Sequence, residues 1–303
     1  MALLTDRPAS VARPAGLVRV TGPDRLEYLH TLLTQHLSAA VAGTVADFLY
    51  LDAKGNPLAS GRAVVRDADV LLVTPPDVAG GLAAALQRYR FLLQVEAADD
   101  SGHWALASLR APAAMDVPGA PHEPMTAAAS GEGLLVRDRS GGVDLLGPTA
   151  WVTGRLGELG LPAASEADWQ AWRIAAGEPA WASEIAPGRR TQELGLLPTH
   201  VHLRKGCYPG QESIAKIHNL GRPRRALAVV AFEGPVRAGD VVEADGKRGE
   251  VTSAAPLGAG WVALALVPLA PDGTVRGDGT VAAGDVTGTV RSLVGAGRAI
   301  PGA

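Results

Sequence analysis

Short β-rich runs, each closed by Gly, Pro or Asp, recur along this chain without a helix between every pair, and that pattern narrows its possible folds most. Beyond Gly221 the runs Ala226 to Phe232, Val241 to Glu243, Gly249 to Ser253 and Gly260 to Val267 follow one another in this way, which predicts a small C-terminal β-barrel. Nearer the N-terminus, Val45 to Leu51, Leu58 to Arg66 and Val70 to Thr74 are separated by Asp52-Ala53-Lys54-Gly55-Asn56-Pro57 and Asp67-Ala68-Asp69, as in an antiparallel meander. Leu26, Leu29, Leu33 and Leu37 predict a helix over 24–37. Val78, Leu82, Ala85, Leu86 and Tyr89 predict another over 77–93, and a third spans 166–176 before Gly177. Strands and helices mix without the strict alternation of a parallel sheet, so the fold class is α+β. The Pro- and Gly-rich stretch from Ala111 to Gly133 reads as a loop or a connection between lobes.

A chain of 303 residues exceeds what one hydrophobic core usually serves, so two or three compact units are expected. The formal charge of −3 argues against broad electrostatic wrapping of nucleic acid and leaves room for a local basic patch. Cys207, the single cysteine, excludes an internal disulfide and any cluster or metal site built from several thiolates of this chain. A reducing cytoplasm fits that usage. Asp6, Arg7, Pro8 and Arg13 interrupt the opening, so no export leader is expected. The longest apolar stretch, Trp261 to Ala270, contains Pro268 and is too short for a bilayer core of about 30 Å, so no membrane role is expected.

The densest concentration of chemistry is Lys205-Gly206-Cys207-Tyr208-Pro209-Gly210-Gln211-Glu212, preceded by His200, His202 and Arg204. Its glycines permit backbone shapes that a side chain obstructs, and Pro209 removes freedom, so the run presents Cys207 on a defined turn. Arg204 and Lys205 supply positive charge beside the sulfur. Residue types alone leave three readings open: a buried inert thiol, a nucleophile paired with a histidine, or a zinc ligand with His200, His202 and His218, whose spacing matches no standard zinc pattern.

These eight residues resemble the K-G-C-[YF]-x-G-Q-E hallmark of YgfZ-type folate-binding proteins, relatives of the glycine cleavage T-protein that include mitochondrial iron–sulfur assembly factors. Arg173-Ile174-Ala175-Ala176-Gly177-Glu178-Pro179 is similar to the R-x-x-x-G-x-P of that superfamily, with Glu184 and Glu193 at suitable offsets. Gly249 to Ser253 resembles its barrel motif, and Leu51-Asp52-Ala53-Lys54-Gly55 its N-terminal meander. The resemblance implies three lobes in a ring, with antiparallel sheets, helices and a C-terminal barrel. Residues 1–220 would form a two-lobed folate-binding region, its first lobe discontinuous, and residues 221–303 the barrel.

The same resemblance implies tetrahydrofolate in a central channel. Glu184 would accept the amino and ring N–H edge of the pterin, a pairing one carboxylate makes bidentately. Arg173, Lys205, Arg222, Arg224 and Arg225 would meet the glutamate tail, Trp181 and Tyr208 the rings, and Gln211 joins them as a cofactor contact. Cys207 would be a reactive thiol facing the same region. The T-protein carries a catalytic carboxylate after its meander turn, where this chain has Ala59 and Ser60, neither of which holds a charge. The implied role is accordingly an accessory protein for iron–sulfur cluster assembly or repair, including the clusters of tRNA-modifying enzymes, without classical aminomethyltransferase activity. Its partners would be folate and iron–sulfur proteins or assembly factors. The alternative is a folate-dependent one-carbon transferase or demethylase drawing its acid from Glu184 or Asp52, and a third reading is a tRNA-binding module built on Arg204, Lys205, Arg222, Arg224 and Arg225.

Overall fold

The computed structural model describes residues 3–220 and 223–298. After helix α1 (Leu3–Asp6), strands β1 (Ala9–Arg13) and β2 (Gly16–Thr21) follow one another but enter different sheets. Strand β2 continues through helix α2 (Arg25–Leu32) into β3 (Val45–Leu51), β4 (Pro57–Val65) and β5 (Asp69–Thr74), then through α3 (Pro76–Arg88) into β6 (Glu96–Asp99). These strands form an antiparallel sheet in the order β3-β4-β5-β2-β6. The second sheet has the order β1-β7-β10-β9-β8, with β7 (Ala105–Arg110), β8 (Thr126–Ser130), β9 (Gly133–Arg137) and β10 (Val143–Gly147).

Helices α4 (Thr149–Leu159), α5 (Glu166–Ala175), α6 (Leu197–His200) and α7 (Gln211–Leu220) then lead to a closed six-stranded barrel. Its strands are β11 (Arg225–Phe232), β12 (Val241–Ala244), β13 (Lys247–Leu257), β14 (Gly260–Pro268), β15 (Thr280–Ala283) and β16 (Val286–Leu293). The α+β class and the C-terminal barrel follow the sequence expectation. Among the described residues no helix is long and apolar enough to cross a membrane.

The layers explain why β9 and β10 are buried along their whole length. Leu134, Val136 and Leu146 face the first sheet, where they meet Leu17, Val64 and Leu71. Leu135, Val143 and Leu145 face the opposite way and pack with Val152 of α4. Helices α2 and α3 cover the outer face of the first sheet through Tyr28, Leu29, Val78, Leu82 and Leu86. Each such buried side chain contributes about 1.5–3 kcal/mol of transfer free energy, which orders the lobes into four layers. Helix α5 opens on a capping box in which Ser165 Oγ accepts from Asp168 N, and it lies against the barrel strands β13 and β14.

Two helices end earlier than their apolar spacing predicts. Leu33 is extended and bridges to Tyr50, so α2 stops at Leu32, and Lys205 Nζ donates to the carbonyls of His30 and Leu33 at that helix end. Helix α3 stops at Arg88, shortly before Phe91 takes a φ of 43°. The stretch expected to be a loop, 111–133, contains the whole of β8, whose small residues Ala127, Ala128 and Ala129 carry little β signal.

The turn between α6 and α7 is locked onto the β3–β4 turn by two glycines. Gly210 has a φ of +79°, and a Cβ there would sit 2.6 Å from the Asp52 carbonyl oxygen and 2.8 Å from Gly55 Cα. Gly55, at φ +81°, would place its own Cβ 2.9 Å from Ser213 Cβ. The Asp52 carboxylate holds the β3–β4 turn by accepting from Lys54 N and Asn56 N at 2.8 Å each and from Asn56 Nδ2 at 2.9 Å. We expect Gly210→Ala to lower stability by about 2 kcal/mol or more, read as the urea midpoint. Gly81→Ala, in α3 with open space around it, should raise stability by up to about 1 kcal/mol.

Candidate functional site

Charged residues in strand positions that face the other sheet bind the two sheets together. Arg62 of β4 donates from Nε to Asp47 Oδ1 and from Nη1 to Asp144 Oδ2, both at 3.0 Å, so one guanidinium joins β3 to β10. Arg110, 2% exposed, pairs with Asp138 at 2.6 Å and with Asp144 at 2.9 Å, and Ser108 Oγ donates to Asp144 at 2.8 Å. Arg139 reaches Asp47 at 3.1 Å. Burial alone would disfavour ionised Asp47 and Asp144, yet Arg62 at the first and Arg110 with Arg62 at the second outweigh it and hold both carboxyls down at about 2.

Beside this lattice lies a cavity of about 390 Å³, walled by both sheets and by α5 and the loop after it. Ser60, Glu178, Trp169, Trp181, His200 and Arg13 are among its lining residues. The Arg13 guanidinium sits 4.0 Å over the Trp169 ring, and Trp169 stacks on Trp172 at 5.1 Å. Burial raises the Glu178 carboxyl above its ordinary value, with Arg110 opposing and Asp138 adding to the rise. Burial lowers His200 to about 4 despite the nearby Asp47, and its Nδ1 lies 2.7 Å from Thr199 Oγ1. The cavity thus offers a neutral imidazole, a carboxyl of raised pKa, indole surface and guanidinium groups around one half-open space.

Glu184 is close by in sequence but takes no part in the cavity wall. It is 0% exposed; Oε2 accepts from Arg173 Nη1 at 3.2 Å and Ala180 N at 2.9 Å, while Oε1 accepts from Ser253 Oγ at 2.6 Å. Arg173 also donates to Ser253 Oγ at 2.8 Å and to Gln170 Oε1 at 2.5 Å. This trio ties α5 to β13, and its geometry leaves Glu184 no free edge for a ligand. Of the carboxyls that line the cavity, Asp47 and Asp144 are held by Arg62, Arg110 and Arg139 and Glu166 accepts from Gln170, which leaves Glu178.

No family model matches the chain. It is 27% identical over 263 residues to the putative chloroplastic transferase At1g60990 of Arabidopsis thaliana, a match covering 78% of this chain and 59% of the plant protein. It is 24% identical to the tRNA-modifying protein YgfZ of Colwellia psychrerythraea (75% of this chain, 73% of that one). It is 28% identical to the mitochondrial iron–sulfur cluster assembly factor IBA57 of Mus musculus (83% and 75%). The crystal structure of aminomethyltransferase T of the glycine cleavage system from Bartonella henselae superposes with a TM-score of 0.78 at 18% identity, covering 98% of this chain and 88% of that one. The chain has the T-protein fold and resembles the YgfZ-type proteins.

In this YgfZ-like chain the remaining candidates fall into three places. Arg173 and Trp181 line the cavity. Lys205, Cys207, Tyr208 and Gln211 belong to the glycine-locked turn and do not line it. There Lys205 is 4% exposed and spent on the end of α2, Tyr208 is 6% exposed with Lys205 Nζ 4.8 Å from its ring centre, and Gln211 starts α7. Burial lowers Lys205 to about 8, against the opposing pull of Glu27 and Cys207. Cys207 is exposed, so it is neither a buried inert thiol nor part of the cavity wall.

Gly206 lies beside His30, whose Nε2 would be 3.6 Å from a Cβ there, and the His30, His36 and His202 rings follow at 4.8 and 5.3 Å. His200 and His218 lie elsewhere, at the cavity and in a separate groove, so the zinc set considered from sequence is not assembled. Among the described residues no group of three or more His, Cys, Asp or Glu is arranged to hold a metal ion. Arg225 pairs with Glu193 at 3.1 Å and, with Arg224, lines that same groove; Arg222 lies outside the described residues. Asp52 is committed to its turn.

Sequence reasoning missed Asp47, Arg62, Arg110, Asp144 and the role of Glu178. A usable signal was there: Val45-Ala46-Asp47-Phe48-Leu49 and Val143-Asp144-Leu145-Leu146 each place one acid inside an apolar strand.

Removing the Glu184 carboxylate strands a buried guanidinium, so Glu184→Ala should cost about 3–5 kcal/mol in denaturant unfolding. Acid should destabilise the fold in two stages. The unfolded chain protonates His200 near 6.5 but the folded chain only at about 4, so stability falls first across that window. Asp47 and Asp144 then protonate near 3.8 unfolded and at about 2 folded, giving a second loss below pH 4. Urea midpoints measured from pH 7 to 3 should show the first stage shrink in His200→Gln and the second in Asp144→Asn.

Proposed function

We propose that this chain binds tetrahydrofolate in the cavity between its two sheets and acts as an accessory factor in iron–sulfur cluster assembly or repair, including clusters of tRNA-modifying enzymes. The observation that carries the reading is Glu178 at the wall of a half-open cavity, in company with two indoles and Arg13. A pterin presents an amino group and a ring N–H side by side, which a carboxylate accepts as two charge-assisted hydrogen bonds. Indole faces suit the pterin and aminobenzoyl rings, and guanidinium groups suit the carboxylates of the glutamate tail.

Ser60, 7% exposed, stands at the cavity where the T-protein resemblance calls for a carboxylate. A hydroxyl there supplies neither charge nor a proton shuttle near neutral pH, which favours a binding role over the classical transfer. The accessory role in iron–sulfur metabolism is supported by the names of the YgfZ and IBA57 relatives. The exposure of Cys207 and its position outside the cavity support contact with a partner protein or a sulfur species over contact with a bound folate.

Anaerobic calorimetry with tetrahydrofolate tests the binding. Glu178→Gln should weaken affinity about tenfold or more, as loss of one charge-assisted pair does, while Cys207→Ser should leave it unchanged. Absence of binding by the wild type, or an unaffected Glu178→Gln, would count against the reading. For the cellular role, a deletion strain should lose activity of cluster-dependent enzymes and regain it with the wild-type gene; equal activity with and without the gene would sink it.

A one-carbon transferase or demethylase remains a second reading because the raised carboxyl of Glu178 is suited to general-acid work. Turnover of methylated amines with tetrahydrofolate that Glu178→Gln abolishes would establish it.

A further inference from the structure

A second depression, of about 1610 Å³, lies between the 188–193 loop, the C-terminal end of α7 and the rim of the barrel. Six cations line it: Arg190, Arg224, Arg225, Lys247, Arg248 and Arg276. Its carboxylate is Glu193, in a chain whose formal charge is −3 overall. Arg225 is paired with Glu193 and Arg248 with the exposed Glu243 at 2.8 Å. Arg276 Nε donates to the Leu269 carbonyl at 3.1 Å, which fixes that guanidinium along the rim. Arg190, Arg224 and Lys247 have no ion-pair partner among the described residues, and all three are exposed.

Four separate segments converge to make this charge, so it is a product of the fold and not of a basic run. Like charges gathered without counter-charges cost free energy unless an anion occupies the groove. The lining narrows the class of anion. Its apolar part is Pro223, Pro268, Leu269, Ala270 and Pro271, and among the described residues its one ring is His218, with no Phe, Tyr or Trp. The large exposed hydrophobics, such as Phe91 and Leu92, lie elsewhere. Protein interfaces rest on buried aromatic and Arg anchors set in apolar pockets, which this groove does not offer. Tracking a phosphodiester backbone needs only cations spaced along an open channel, and five of the six here are the forked guanidinium groups that match phosphate oxygens.

We propose that this groove binds the phosphodiester backbone of a nucleic acid without reading its bases, with RNA as the probe that tests it. It differs from the tRNA-binding cluster read from sequence, since Lys205 is buried under α2 and the groove instead recruits Arg190, Lys247, Arg248 and Arg276. With His218 as its one ring, the groove lacks the row of stacking platforms that gives single-strand binders successive base contacts, so affinity rests on counterion release.

Fluorescence anisotropy of the full chain with end-labelled RNA tests the proposal, using a single strand of mixed sequence, a scrambled strand and the duplex. Binding in the range of about 1–100 µM is expected at physiological salt, with the two single strands within about twofold of each other. The slope of log K against log salt should be about −3 to −4, as about five phosphate contacts give. The double variant Arg190→Glu, Lys247→Glu should weaken binding at least tenfold and flatten the slope by about two, with an unchanged thermal midpoint and unchanged tetrahydrofolate affinity. Binding insensitive to salt, or equal in the double variant, would overturn the proposal. So would equal competition by a polyglutamate peptide of the same charge, since that would make the groove a carboxylate site.

Discussion

The whole arrangement depends on one guanidinium placed between two sheets. Arg62 reaches Asp47 on its own sheet and Asp144 on the other, each at 3.0 Å, and Arg110 completes the lattice from the far side. Ion pairs of this kind are poor sources of stability, because desolvation consumes most of the Coulomb gain, yet removing one partner leaves a charge with nothing to replace it. Their value here is geometric. Apolar side chains join the sheets along Leu134, Val136 and Leu146, and the ionic lattice occupies the stretch beside the cavity. The cavity is therefore bordered by charged groups already fixed by one another, which spares a ligand the cost of ordering them.

The sequence made the scaffold legible where local chemistry is strong. Period-two runs closed by Gly and Asp marked β3, β4, β5 and the first four barrel strands, β11 to β14, to within about four residues, while β15 and β16 went unread, and Gly177 marked the end of α5 to within a residue or two. The signal failed where tertiary contacts decide. Helix α2 stops at Leu32 because Lys205, far along the chain, takes its terminal carbonyls. The site was legible in part for the same reason. Glu184 looked suited to a pterin edge by residue type, but its true partners include Ser253 on the barrel, a pairing no local pattern reveals. Glu178 stood within the quoted motif and drew no notice, since only the fold turns it toward the cavity.

The eight-residue run that carried the family resemblance is a structural lock with a thiol on its outer side. Gly210 and Gly55 allow two turns to approach more closely than any side chain permits, and Lys205 fastens the run to α2 from the other direction. The resemblances of Leu51 to Gly55 and of Lys205 to Glu212, far apart in sequence, thus describe one contact in space. Cys207 is left exposed by that lock while the cavity lies elsewhere in the molecule. The cavity, the exposed thiol and the basic groove consequently occupy three different surfaces.

The most direct measurement is a crystal structure of the protein grown anaerobically with tetrahydrofolate. The account predicts the pterin ring enclosed between the two sheets, its amino and ring N–H edge on the Glu178 carboxylate and its glutamate tail directed toward guanidinium groups. A pterin bound outside that cavity, or one inside it that turns away from Glu178, would contradict the account.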